Sequence, residues 1–100
     1  MYLYNVTVNV EKEMEKEWLD WMKSEHIPHV LATGMFVENK LFKIMHDSED
    51  GSLNYSVQYF ADSMENIMNY QQNFAPKLQA DTQNRYGDRL VIFRTLLKLV

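Results

Sequence analysis

The sequence predicts an α+β fold of order βαββαβ, a four-stranded antiparallel sheet with two helices on one face. Three observations predict it. Residues 2–10 and 53–61 alternate alike, each with a Tyr/Val face and a face rich in Asn, Ser, Thr and Gln. Residues 11–31 and 62–87 switch to helical spacing. Residues 35–46 and 89–99 are apolar on both faces, as strands covered on two sides are.

In the first strand, Tyr2, Tyr4, Val6, Val8 and Val10 point one way and Leu3, Asn5, Thr7 and Asn9 the other. Period two with β-branched and aromatic residues is the strand signature. The first helix should run from Glu11 to about Leu31, with Met14, Trp18, Trp21, Met22, His26 and Val30 on one stripe. Its Glu-rich start suits the positive end of a helix dipole. Pro28 lacks a backbone donor and crowds the preceding turn, so a kink or an end is expected near Ile27. Thr33 and Gly34 mark the stop.

The second strand is expected over 35–46. Phe36, Phe42 and Ile44 lie on one side and Met35, Val37, Leu41 and Met45 on the other, with a bulge near 38–40 to shift the phase. The polar run from Asp47 to Gly51 turns the chain into a hairpin. In the third strand, Leu53, Tyr55, Val57 and Tyr59 oppose Asn54, Ser56, Gln58 and Phe60. Asp62 or Ser63 caps the second helix, and Glu65 completes a capping-box pattern with Asp62. Met64, Ile67, Met68, Gln71, Phe74 and Leu78 form its stripe, Pro76 should split it, and Gly87 should close it. In the last strand, Val91, Phe93, Leu97 and Leu99 oppose Leu90, Ile92 and Leu96. Right-handed crossovers then place the first and third strands in the centre of the sheet.

One hundred residues make one domain, 1–100, and not two. A chain this short has a thin core of its own. Yet 46% of it is hydrophobic, more than one helix-covered face requires, which argues that a second copy covers the other face as a homodimer. The net charge is −4, and ten basic residues are scattered among fourteen acidic ones. Nucleic acid and anionic membranes are therefore disfavoured partners. The absence of cysteine excludes disulfides, thiolate clusters and thiol catalysis. The N-terminus lacks a signal-peptide pattern and no run reaches the ~20 apolar residues of a membrane span, so a cytoplasmic location is expected.

The chain resembles the dimeric α/β-barrel superfamily, in which two ferredoxin-like βαββαβ sheets pair face to face. That group includes antibiotic-biosynthesis monooxygenases, haem-degrading monooxygenases, muconolactone isomerases and EthD-like proteins. Trp21, His26 and Pro28 are similar to the W-x4-H-x-P pattern in the first helix of EthD-like proteins. The whole chain resembles more closely a family of short bacterial proteins known as a domain of unknown function. The supporting stretches are Tyr4-Asn-Val-Thr-Val-Asn9, His26-Ile-Pro28, Gln58-Tyr-Phe60, Tyr70-Gln-Gln-Asn-Phe-Ala-Pro76 and Phe93-Arg-Thr-Leu-Leu97. The superfamily hosts enzymes, haem binders and proteins without known activity, so the resemblance implies a fold before a function. In the haem-degrading members an Asn of the first strand acts with a Trp and a His that lie outside the first helix. Asn5, Trp18 or Trp21, and His26 correspond only loosely, and no cofactor is expected.

His26 is the residue expected to line a pocket between helix and sheet, or else to bond the free carbonyls at the helix end. His26 and His29, three apart, have helical spacing for a metal, but Pro28 disturbs it and no third ligand is near in sequence, so no metal site is expected. Asn5, Thr7 and Asn9 form a polar row that must find partners, either a substrate oxygen or polar groups across a sheet–sheet interface. Tyr2, Tyr4, Tyr55 and Tyr59 allow a base-stacking platform, but packing beneath the helices is the expected role. Arg94, inside an apolar strand, needs a carboxylate from a ligand or a partner subunit.

The expectation is thus a ferredoxin-like homodimer that binds or senses a hydrophobic small molecule, without established catalysis. The pocket residues are Asn5, Trp18, Trp21, Met22, His26 and Arg94. A cofactor-independent monooxygenase or isomerase acting on an aromatic compound, with His26 as acid or base, is the alternative. A structural interaction module with a filled interior is the third.

Overall fold

Strand alternation carries directly into the sheet. In the computed structural model, which describes residues 1–100, β1 (Tyr2–Val10) pairs antiparallel with β3 (Leu53–Ala61) and with β4 (Leu90–Lys98). β2 (Glu38–Lys43) pairs antiparallel with β3, giving the order β2-β3-β1-β4. The two strands with matched alternation are the central pair, as expected. Even-numbered β1 residues and odd-numbered β3 residues face the helices, and Tyr4, Val8, Tyr55, Val57 and Tyr59 are all buried there.

The first helical segment departs from a plain α-helix. A 3-10 turn (Lys12–Met14) leads into α1 (Glu15–Trp21), then a π-helical stretch (Met22–His26), then α2 (Ile27–Leu31). The helix therefore neither ends nor breaks at Ile27. Pro28 cannot donate four residues back, and its ring would crowd that carbonyl. Wider turns relieve this upstream, and the Ile27 N–H bonds to the Met22 carbonyl five residues back. Pro28 then sits in the first turn of α2, where its missing donor costs little.

The second half follows the predicted division. Ser63, not Asp62, caps α3 (Met64–Asn73): its backbone is extended and its Oγ accepts from the Asn66 N–H at 3.1 Å. Pro76 lies in the first turn of α4 (Ala75–Tyr86). Gly87 ends α4 at φ +53°, where a side chain would be strained.

β2 is shorter than the expected 35–46, and its register with β3 runs without a bulge. Phe36 and Phe42 do not share a face. Phe36 precedes the strand, where alternation has no hold, and turns under the helices into the core, whereas Phe42 on the strand is half exposed. Phe36 packs against Tyr70, Tyr59 and Tyr4 at ring-centroid distances of 4.9, 5.3 and 6.0 Å. Each such pair adds about 0.5–1.5 kcal/mol beyond its buried area. Trp18 packs on Tyr55 at 5.1 Å on the other side of the core.

The molecule is 19 Å thick in its shortest direction, the depth of one helix layer on one sheet. The far sheet face is bare. Cross-strand rows on it read Phe42–Ser56–Thr7–Phe93 and Glu38–Phe60–Leu3–Leu97, with Lys40–Gln58–Asn5–Thr95 between them. Phe93 is 65% exposed and Val91, Phe42 and Leu97 are about half exposed.

Candidate functional site

A small cavity of about 40 Å³ lies between the sheet and the helices. Its floor is Tyr4, Val6 and Val8 of β1, Val57 and Tyr59 of β3, and Leu90, Ile92 and Arg94 of β4. Its roof is Trp18, Met22, His26 and Tyr70, with Leu78, Gln79 and Thr82 from α4. Gln79, Thr82, Leu90, Ile92 and Arg94 also line a larger open groove between α4 and β4, so cavity and groove meet at Arg94.

Of the six pocket residues named from sequence, Trp18, Met22, His26 and Arg94 line this cavity. Asn5 does not. Strand alternation puts it on the bare face, where Ser56 Oγ donates to its Oδ1 at 2.6 Å and its Nδ2 donates to Thr7 Oγ1 at 3.0 Å. Gln58 extends this network to Ser56. Asn9 sits on the same face and donates to Ser52 and Asn54. The polar row thus satisfies itself along the sheet. Trp21 also stays out of the cavity. It is buried at the outer side of the helix, stacked on His26 at 4.8 Å, with the Arg85 guanidinium 5.5 Å from its ring centroid and Tyr86 edge-on at 5.4 Å.

His26 reaches both the cavity and an outer groove shared with Trp21, Glu25, His29 and Asp81. Its pKa is pushed down to about 4, chiefly by burial, with His29 and Arg94 acting in the same direction and Asp81 opposing them. The imidazole is therefore neutral at pH 7, able to accept a proton and not to supply one. No three His, Asp or Glu side chains gather closely enough to hold a metal ion, His26 and His29 included.

Sequence reasoning missed the phenols. Tyr4, Tyr59 and Tyr70 all line the cavity, and burial raises the pKa of each. The Tyr4 hydroxyl faces the Arg94 guanidinium and the Gln79 side chain, which offset part of that rise. The Tyr59 hydroxyl is buried without any hydrogen-bond partner. Tyr4, Tyr55 and Tyr59 pack beneath the helices, as expected, so they form no base-stacking platform on the open face. The available signal was their shared parity with Val6 and Val57. Gln79 and Thr82, three apart on α4, gave none.

Over residues 1–100 the sequence matches the family described as a domain of unknown function, DUF4286. The chain belongs to the DUF4286 family. No curated protein is similar to it at a significant level. Among solved structures, a dimeric ferredoxin-like protein from an uncultured marine organism superposes with a TM-score of 0.71 at 14% identity, covering 100% of this chain and 95% of its own. An EthD family protein from Bacillus halodurans C-125 superposes with a TM-score of 0.66 at 13% identity, covering 100% of both chains. At that identity the likeness establishes the fold, and this DUF4286 chain is ferredoxin-like.

Proposed function

We propose that this chain is a small-molecule-binding protein, one domain over 1–100, that works as a homodimer with its ligand held between helices and sheet in each copy. The observation that carries the reading is the cavity itself, apolar over most of its lining but holding the orphaned Tyr59 hydroxyl. A buried polar group without a partner costs about 1–3 kcal/mol, so a ligand or water oxygen there relieves a real deficit. Few convergent polar groups in an apolar pocket is the usual make-up of a ligand site.

The homodimer is supported by the bare sheet face. Phe42, Val91, Phe93 and Leu97 leave a broad apolar surface in water. The polar row between them already bonds to itself through Asn5, Thr7 and Ser56, so covering it leaves few groups unsatisfied. The marine protein is described as dimeric, which supports a pair of copies here.

The enclosed space is smaller than the ~150 Å³ that accommodates benzene and larger than the ~10–15 Å³ that one water needs. An aromatic ligand would have to extend into the α4–β4 groove. A second reading, a cofactor-independent monooxygenase or isomerase, is favoured by the neutral His26 imidazole at the cavity wall, which could only serve there as a base.

Native mass spectrometry of freshly purified protein tests the primary reading. A dimer that releases a small molecule on activation is expected, with the adduct lost in His26→Ala. A dimer without adduct, unchanged by any small molecule in thermal-shift screening, would favour the filled interaction module instead.

A further inference from the structure

Arg94 occupies a position that the sheet otherwise fills with apolar side chains. Its cross-strand row on the helix side reads Leu41–Val57–Val6–Arg94. The chain's ion pairs use Lys40, Lys43, Lys77, Arg85 and Arg89, and Arg94 makes none. Nor does any Asp or Glu line the cavity or the groove that meets it. Arg94 is exposed on the edge strand β4, so water solvates its charge, and without an ion-pair partner it is free to take an anion at the mouth of the cavity, where a carboxylate matches its fork geometry.

The partner subunit is a poor source of that anion. Alternation sends Phe93 and Thr95 to the bare face and Arg94 to the helix face, so a copy docked sheet to sheet meets the first two and not Arg94. Other polar groups at the cavity supply hydrogen-bond donors, among them the Tyr4 hydroxyl and Gln79 amide beside Arg94 and the unpartnered Tyr59 hydroxyl two strands farther in, while His26, Tyr70 and Thr82 also line the wall.

We propose that the cavity takes a short carboxylate bearing a second oxygen, a hydroxy- or oxo-acid. Its carboxylate sits on Arg94 with Tyr4 and Gln79 beside it, and its second oxygen accepts from Tyr59. This rests on reading the cavity as a ligand site and adds the chemical class. The volume of about 40 Å³ holds only a few heavy atoms, so even a short acid keeps its carboxylate at the open end beside Arg94, where the groove adds space.

The full-length protein, labelled with 15N, is titrated with lactate and pyruvate and, separately, with neutral lactamide. Saturable shifts of the amides of Val57, Tyr59, Thr82 and Arg94 with the acids, and much weaker ones with lactamide, are expected. Arg94→Gln should weaken acid binding by about tenfold or more, and Tyr59→Phe by about three- to tenfold, with both variants melting cooperatively. If lactamide binds as well as lactate, or Arg94→Gln leaves affinity unchanged, the carboxylate assignment is overturned while the cavity remains a ligand site. If neither acid moves these amides although the purified protein carries a releasable adduct, the assignment falls alone. If neither probe binds and no adduct exists, it falls together with the reading beneath it.

Discussion

The imidazole of His26 lies nearly flat on the indole of Trp21, their ring centroids 4.8 Å apart and their planes at 25°. The π-helical stretch that ends at His26 brings the two rings together, and the arrangement both orients the imidazole along the cavity wall and shields part of it from water. Burial is the main reason that it stays neutral, and His29 and Arg94 push the same way against Asp81.

Stability should therefore depend on pH through His26. Its pKa in the fold is about 4, against 6.5 for an ordinary histidine. Between those values the unfolded chain binds a proton that the folded chain refuses, so stability falls as pH drops from about 6.5 to about 4 and then levels off. The full contribution is at most about 3 kcal/mol. His26→Phe keeps an aromatic ring on Trp21 and removes the titration. Urea unfolding at several pH values should show the wild type losing stability over that interval relative to the variant. Parallel curves would mean that His26 titrates normally.

Tyr59→Phe should stabilise the ligand-free protein by about 1 kcal/mol, because it deletes a buried hydroxyl that has no partner and leaves the ring packed on Phe36. Denaturant midpoints measure this. A loss of stability would show that the hydroxyl has a partner in solution.

Phe93→Glu should leave the protomer folded and abolish the homodimer, since Phe93 is 65% exposed and lies on the bare sheet face. Sedimentation velocity at micromolar protein decides the matter. A dimeric variant, or a monomeric wild type, would remove the sheet-to-sheet pairing.

Ser63→Ala should cost about 1 kcal/mol, because the Ser63 side chain satisfies the free Asn66 N–H at the start of α3. Asp62→Ala should change little. Thermal melts of the two variants distinguish them, and a larger loss in Asp62→Ala would reassign the cap.

Much of the fold was legible because its signals are local. Alternation in 2–10 and 53–61 identified the central strands, and Pro76 marked the division of the second helix. Local signals failed where several conformations satisfy the same residues. Pro28 reads as a helix end, but wider turns upstream absorb it at less cost than losing α2. Phe36 reads as a strand residue, but the aromatic cluster beneath the helices draws it inward.

The candidate site was legible only in part, for the same reason. Trp18, Met22 and His26 share a helix stripe that faces the cavity, whereas Trp21 of the same expected stripe lies at its outer edge. The chemistry of Asn5 suits a pocket, but its parity with Leu3 and Thr7 sends it to the other side of the sheet. Tyr4, Tyr59 and Tyr70 come from three elements, and nothing in their local sequence brings them together.

The sequence by itself determined the order of elements, the central strands and the two-faced character of the sheet, since these follow from periodicity within short segments. Tertiary structure alone decided which sheet face the helices cover, and with it that Arg94 and three phenols share a cavity while Asn5 lies outside. Periodicity separates two faces of a strand but does not say which becomes the interior. Packing between distant elements makes that choice.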